Sequence, residues 1–417
     1  MKFVRVSIAI VGSLIGTLSV CAMDREDLVA ALDQVLDTDV TARRTTVSLK
    51  VVDLESGDVL YDRFGDRLFT PASNLKIYTS ACALDLFGPE HSFPTRIVGR
   101  VDDGEQAVVG DVTIVGGGNA MLSTADLRLL AVRVANDWNV RHVHGQVVVD
   151  NSRYSDVRLG PGWMWDDQPY YFNMRVTPLM VDFNVQKLPG KFDADGDPVR
   201  RAVTNPEDWI ASELSAMLRQ HGVEFETSEA QGTSGKQRTI TYDGTPLHET
   251  LRHFNHVSEN AVGEVLLHEI AIAKGVKRPT WADGSKLITT WLLEKAGLAK
   301  GSFRLDDGSG LSRYNLISAD SSTNLLAFMR QHKHYQVFFK ALPAYQVKTA
   351  SGESQYLVRA KSGGMSGVST ISGYLQTLQG RQLAFSLLAN GFIGSNRPVR
   401  ELRGKVWAAL AQFEPAK

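Results

Sequence analysis

The sequence predicts an α+β fold: an antiparallel sheet flanked by helices and built from both ends of the chain, with a β-rich domain inserted between them. Three observations predict it. Helix and strand patterns near the N-terminus are mirrored near the C-terminus, the middle of the chain is rich in β pattern and glycine, and helix-rich sequence resumes at Pro246.

Residues 24–37 place Leu28, Val29, Leu32, Val35 and Leu36 on one side of a helix. Residues 45–53 and 59–63 alternate in polarity and are joined by Glu55-Ser56-Gly57-Asp58, which reads as a β-hairpin. Pro71-Ala72-Ser73-Asn74-Leu75-Lys76 then opens an apolar run to Phe87, a core helix with Pro71 set for its first turn. At the far end, 355–361, 368–378 and 382–390 read as strands, the last two joined at Gln379-Gly380-Arg381. Residues 398–413 close the chain as a helix with Leu402, Val406, Trp407, Leu410 and Phe413 on one face. In the middle, 95–117 and 145–150 are β-rich, and 125–138 and 206–221 are helical. A loop at 160–171 carries Trp163, Trp165, Tyr170 and Tyr171, which reads as a small core within the insertion. Asp193-Ala194-Asp195-Gly196-Asp197-Pro198 reads as a turn without the downstream ligands of a calcium loop. The expected division is a discontinuous domain of 23–87 and 241–417, interrupted by an inserted domain at 88–240.

The chain has 417 residues, 43% apolar, enough for more than one core. Lys and Arg number 45 against 46 Asp and Glu, without a basic patch, which argues against nucleic acid as a partner. Residues 1–22 read as a secretory signal peptide: a basic start, an apolar stretch broken by Gly12 and Gly16, and small residues at Cys21-Ala22. The expectation is export to the periplasm. Lipid attachment at Cys21 is the alternative, with Val20 bulkier than such sites usually allow. Cleavage would leave only Cys82, so no internal disulfide can form.

Chemistry enters with Ser73 and Lys76, one helical turn apart on one face. A desolvated lysine could take the serine proton in acyl transfer. That spacing alone is expected about once by chance in a chain this long. Two further stretches follow in order: Ser258-Glu259-Asn260 before a strongly apolar helix, and Lys361-Ser362-Gly363-Gly364 at the end of a strand entering a tight turn. The series Ser-x-x-Lys, Ser-x-Asn, Lys-[Ser/Thr]-Gly in those contexts is specific.

With these motifs the chain resembles the penicilloyl-serine transferases, most closely the class C penicillin-binding proteins, which are D-alanyl-D-alanine carboxypeptidases and endopeptidases. Asp307-Gly308-Ser309-Gly310-Leu311-Ser312, Val115-Gly116-Gly117-Gly118 and Gly162-Trp163-Met164-Trp165-Asp166-Asp167 are similar to that family's secondary signatures. Two departures stand out. Gly118-Asn119-Ala120 replaces the usual Gly-Asp-Pro, and the insertion is short, so its inner subdomain is expected to be reduced. The resemblance implies a β-lactamase/transpeptidase-like fold and a serine peptidase acting on peptidoglycan stem peptides, acylated by β-lactam antibiotics, with no cofactor or metal. It implies Ser73 as nucleophile, Lys76 as its base, Ser258 as proton relay and Asn260 as a hold on substrate and Lys76. Lys361 and Ser362 would bind the substrate carboxylate beside Gly363 and Gly364, and the N–H groups of Ser73 and Gly364 would form the oxyanion hole. Asp150 is a candidate for a cationic group of the peptide, with a strand-end turn cap as the competing reading.

His253-x-x-His256 and His142-x-His144 have metal-like spacing without a third ligand nearby in sequence, so both pairs read as packing or surface histidines. A class A β-lactamase would need a Glu-x-x-Asn element between Ser258 and Lys361, which is absent from the sequence. A non-catalytic peptidoglycan-binding scaffold is the alternative from another class. The sequence leaves oligomeric state and the balance of carboxypeptidase and endopeptidase work open.

Overall fold

The computed structural model describes residues 23–193, 196–226, 235–348 and 352–414; the expected signal peptide and part of the 193–198 turn lie outside them. Helix α1 (Arg25–Thr38), capped by the Asp24 carboxylate, and the short α2 (Val40–Arg43) precede the hairpin β1 (Thr46–Asp53) and β2 (Val59–Arg63). A 3₁₀ turn, Ala72–Leu75, leads into α3 (Lys76–Phe87). The middle of the chain supplies β3 (Thr95–Asp102), β4 (Ala107–Val109), β5 (Val112–Val115), α4 (Thr124–Asp137), β6 (His142–His144) and β7 (Val147–Asp150). It continues with β8 (Val185–Phe192), β9 (Pro198–Ala202), α5 (Pro206–Gln220), β10 (Glu224–Phe225) and β11 (Lys236–Tyr242). Helices α6 (Leu247–His256), α7 (Asn260–Ala273) and α8 (Trp281–Glu294) follow, then the small pair β12 (Phe303–Arg304) and β13 (Leu316–Ile317). The chain ends with α9 (Ala319–Gln331), α10 (Tyr335–Ala341), β14 (Ala344–Lys348), β15 (Ser354–Met365), β16 (Val368–Gln376), β17 (Gln382–Asn390) and α11 (Arg397–Leu410).

The first and last strands share one antiparallel sheet in the order β14-β15-β16-β17-β1-β2, with β17 running beside β1 from Thr46↔Asn390 to Asp53↔Leu383. A strand covered on both faces must be apolar on both, and β17 is. Its Leu383, Phe385, Leu387 and Ala389 join Leu28, Leu32, Leu402, Val406 and Leu410 of α1 and α11 in one core. Its Ala384 and Leu388 belong to a second core with Leu75, Tyr78 and Leu84 of the α3 region and with apolar residues of α6 to α9. The helix that begins just after Ser73 is therefore held against the sheet from the side opposite α1 and α11.

The second sheet is built from the middle of the chain. Strand β3 pairs with β11 on one edge and with β4 and β5 on the other. These pair in parallel with β6 and β7, and β10 lies parallel to β6 at the edge. Helices α4 and α5 cover one face through Leu127, Leu130, Val134, Ile210 and Leu214. Among the described residues no helix is long and apolar enough to cross a membrane.

Three expectations from sequence change in the structure. The strand expected over 355–361 is longer: β15 runs on to Met365, pairing Gly363 with Thr370 and Gly364 with Ser369, before the tight turn into β16. Paired glycines suit this ladder because a neighbour passes too close for a side chain, as described below. The aromatic loop does not form its own core. Trp163 packs edge-on against Trp281 of α8 and donates to Asp307 at 3.0 Å, while Trp165 is 83% exposed. The Gly118-Asn119-Ala120 turn closes without proline: the Asn119 side-chain oxygen Oδ1 accepts the Met121 N–H at 3.0 Å, an Asx turn.

Candidate active site

Ser73 sits in the 3₁₀ turn ahead of α3, and two glycines make room for that turn. A Cβ on Gly363 would lie 2.3 Å from the Pro71 carbonyl oxygen and 2.7 Å from the Asn74 nitrogen. A Cβ on Gly310, at φ +89°, would lie 2.0 Å from the Ala72 carbonyl oxygen. Thr370 on β16 donates its hydroxyl to the Pro71 carbonyl at 2.6 Å. Sheet and loop thus close on the turn from two directions. Ala72 takes φ +46°, a left-handed conformation that costs a non-glycine residue about 1–3 kcal/mol.

Lys76 has no exposed surface. Its Nζ donates to Asn260 Oδ1 at 2.8 Å and to the Ser309 carbonyl at 2.8 Å, and lies 3.0 Å from Ser73 Oγ. Burial lowers its pKa to about 8, against the opposing pull of Asp307, Glu264 and Glu259. The Phe254 ring lies 5.4 Å from the amine and keeps that side dry.

The carbonyl at Ser309 is placed by a buried carboxylate that the sequence reading did not single out. Glu264, one turn after Asn260 on α7, accepts the N–H groups of Gly308 at 3.1 Å and Ser309 at 2.9 Å, and the Trp281 indole N–H at 2.8 Å. Burial first, and then Asp307, raise its pKa. Asp307 accepts the N–H groups of Gly310 and Ser312 and the Asn315 amide, closing the same loop from its own side. The available signal was a lone pair of acids, Glu264 and Glu269, in an otherwise apolar helix, since acids are almost never fully buried without partners. Glu269 takes Arg153 through both oxygens and Tyr154 Oη, tying α7 to the 150–155 segment.

Ser258 lies between α6 and α7 with φ +63°. It lines one cleft of about 550 Å³ together with Ser73, Asn260 and Gly364. That is an ordinary size for a small-molecule site. Asn260 turns its amide nitrogen to the Phe172 carbonyl at 3.1 Å, which leaves its oxygen for Lys76. Phe183, also left-handed at φ +62°, stacks on His253 at 5.3 Å, so this histidine forms part of the cleft wall. Arg200, Arg313 and Met365 complete the wall, residues the sequence reading did not select.

Lys361 is 3% exposed, and among the described residues no carboxylate pairs with it. Burial first, and then the Lys76 cation, lower its pKa to about 7. Ser362 Oγ accepts the Tyr345 hydroxyl at 3.3 Å. The structure does not bring Asp150 to this place: it is not among the residues lining the cleft, and its carboxylate accepts the Ser152 N–H at 2.9 Å, a strand-end cap.

A family model described as the D-Ala-D-Ala carboxypeptidase 3 (S13) family matches residues 28–196 and 187–412. The chain belongs to that family. It is a serine peptidase. It is 28% identical over 448 residues to the D-alanyl-D-alanine carboxypeptidase of Actinomadura sp. (strain R39), covering 89% of this chain and 81% of the relative. It is 22% identical to the D-alanyl-D-alanine carboxypeptidase DacB of Haemophilus influenzae, over 87% of this chain and 88% of the relative. Its fold is similar to the crystal structure of penicillin binding protein 4 from Haemophilus influenzae, with a TM-score of 0.77 at 19% identity, covering 92% of this chain and 99% of that one.

For this S13 peptidase, the contact between β15 and the serine turn yields a direct test. Gly363→Ala should leave the far-ultraviolet circular dichroism unchanged and lower kcat/KM on a D-Ala-D-Ala peptide by about 100-fold, the cost of displacing reacting groups by roughly 1 Å.

Proposed function

We propose that this protein cleaves D-alanyl-D-alanine ends of peptidoglycan stem peptides through an acyl-enzyme on Ser73, and that β-lactam antibiotics acylate the same serine. The observation that carries this reading is the fixing of Lys76 Nζ between Ser73, Asn260 and the Ser309 carbonyl. A neutral amine has two N–H donors and one lone pair. Asn260 Oδ1 and the Ser309 carbonyl can only accept, so they take the two N–H groups, and the lone pair faces the Ser73 hydroxyl.

The reaction follows from that arrangement. Lys76 takes the Ser73 proton as Oγ attacks the carbonyl carbon of the scissile bond. The oxyanion receives the N–H groups of Ser73 and Gly364, each worth about 3–4 kcal/mol. Ser258 passes the proton to the departing D-alanine nitrogen, the C–N bond breaks, and the acyl group stays on Ser73. Water then hydrolyses the ester by the same groups in reverse. Lys361, buried and without a carboxylate partner among the described residues, binds the terminal carboxylate in its charged form with help from Ser362. The cationic-group role considered for Asp150 is not part of this proposal; its carboxylate accepts the Ser152 N–H at 2.9 Å.

The same reading assigns catalysis to a discontinuous domain of 23–87 and 241–417, with 88–240 inserted into it. It places the mature protein in the periplasm after removal of residues 1–22.

Two experiments test the proposal. A fluorescent penicillin should label the native protein on a denaturing gel and leave Ser73→Ala unlabelled; a labelled variant would move the nucleophile elsewhere. The second is a pH profile. The base must be neutral, and the Lys76 fraction in that form rises with pH through about 8. The anchor must be charged, and Lys361 loses its charge as pH rises through about 7. The second-order acylation rate constant should therefore be bell-shaped with its maximum between about pH 7 and 8. A flat profile from pH 6 to 9 would contradict the assignment of both lysines.

A further inference from the structure

Away from the cleft, the edge of the second sheet gathers nitrogen and oxygen ligands that are far apart in sequence. On β6, Val143 is fully buried in the core, so His142 and His144 both project from the opposite face. Strand β10 runs beside them in parallel register, with Glu224 opposite His142 and the Glu226 N–H donating to the Val143 carbonyl at 3.0 Å. Two histidines and two glutamates therefore share one sheet face.

The side chains converge. Glu226 Oε1 lies 3.1 Å from His142 Nδ1, and its Oε2 lies 3.3 Å from His144 Nδ1. Glu105 Oε2 approaches His144 Nε2 to 3.9 Å. Ligand atoms of His142, Glu224 and Glu226 all lie within 4.8 Å of one another. The two imidazole rings are nearly parallel, 9° apart, with centroids separated by 6.5 Å. Both Nδ1 atoms are shielded from solvent, and neither makes a hydrogen bond, so the close approach to Glu226 is not a directed N–H···O contact.

We propose that His142, Glu224 and Glu226 bind a divalent transition metal of the zinc class, with His144 beside them on the Glu226 carboxylate and a coordination position left to water. Ligands bonded at about 2.0–2.1 Å in tetrahedral geometry stand about 3.3 Å from one another, the spacing seen between Glu226 and the two histidines. Imidazole with carboxylate suits Zn²⁺, whereas Mg²⁺ and Ca²⁺ take all-oxygen sets. The metal would fasten the two-residue strand β10 to β6 across an interval of more than 70 residues. None of these residues lines the Ser73 cleft, so the bound ion serves the inserted region and not the acyl transfer.

Zinc chloride titrated calorimetrically into chelator-treated, full-length protein should show one ion bound per chain, and saturating zinc should raise the thermal midpoint while magnesium does not. His142→Ala and Glu226→Gln should each weaken zinc binding by roughly 100-fold or more, as expected for the loss of one ligand bond. Penicillin labelling should be unaffected in both variants. The proposal is overturned if the native protein takes up no zinc, if either variant binds it as tightly as the native chain, or if magnesium gives the same stabilisation. Each of those results would leave a cluster of histidine–carboxylate ion pairs only.

Discussion

A primary amine with no exposed surface must satisfy its protons and its lone pair. Lys76 does so with two acceptor oxygens, Asn260 Oδ1 and the Ser309 carbonyl, and with the Ser73 hydroxyl. Moving the amine from its ordinary 10.5 to about 8 shifts the preference toward the neutral form by about 3 kcal/mol relative to a lysine in water. That preference has a cause in packing: Tyr78, Phe254 and the apolar residues of α6 and α7 exclude the water that would solvate an ammonium. Neutrality by itself would not make a base. The lone pair points to Ser73 because the other two positions are held by acceptors that have no proton to give.

Those acceptors depend on carboxylates further from the reaction. The Ser309 carbonyl is aimed by a loop whose backbone N–H groups are taken up by Glu264 and Asp307. Buried acids without such partners would destabilise the core by several kcal/mol each, so the loop and the two carboxylates stabilise one another. Glu264 lies one turn from Asn260 on α7 and fixes the loop, while Asn260 fixes the amine. Both acceptors facing Lys76 are thus referred to the same buried helix, α7.

Much of this architecture could be read from the sequence, and the parts that could not share a physical reason. Strand β17 was visible because both of its faces are buried and every residue from Leu383 to Ala389 but Ser386 is apolar. The α1 and α11 helices were visible through their one-sided stripes. Ser73, Lys76, Ser258, Asn260 and Lys361 were found by order and spacing. The strand before the turn was read as ending at Lys361 because glycines favour turns, whereas Gly363 stays in the ladder and answers to the Pro71 carbonyl 2.3 Å from where a Cβ would be. Glu264 and the Ser309 carbonyl were missed because a buried acid and a backbone oxygen leave no motif. The same limit hid the neighbours of His142 and His144. Parallel pairing of β6 with β10 brings Glu224 and Glu226 beside them, and parallel pairing has no local signature.

The central claim is that burial brings the oriented Lys76 amine within reach of neutrality, so that it loses its proton through about pH 8 and serves as the base. The most direct measurement is its own titration, followed by the ¹³Cε chemical shift in protein carrying labelled lysine, with the resonance assigned by its loss in Lys76→Arg. The account predicts a midpoint near about 8 in the ligand-free protein. A midpoint at the ordinary lysine value of 10.5 would mean that burial does not ease the loss of the amine's proton and would contradict the account.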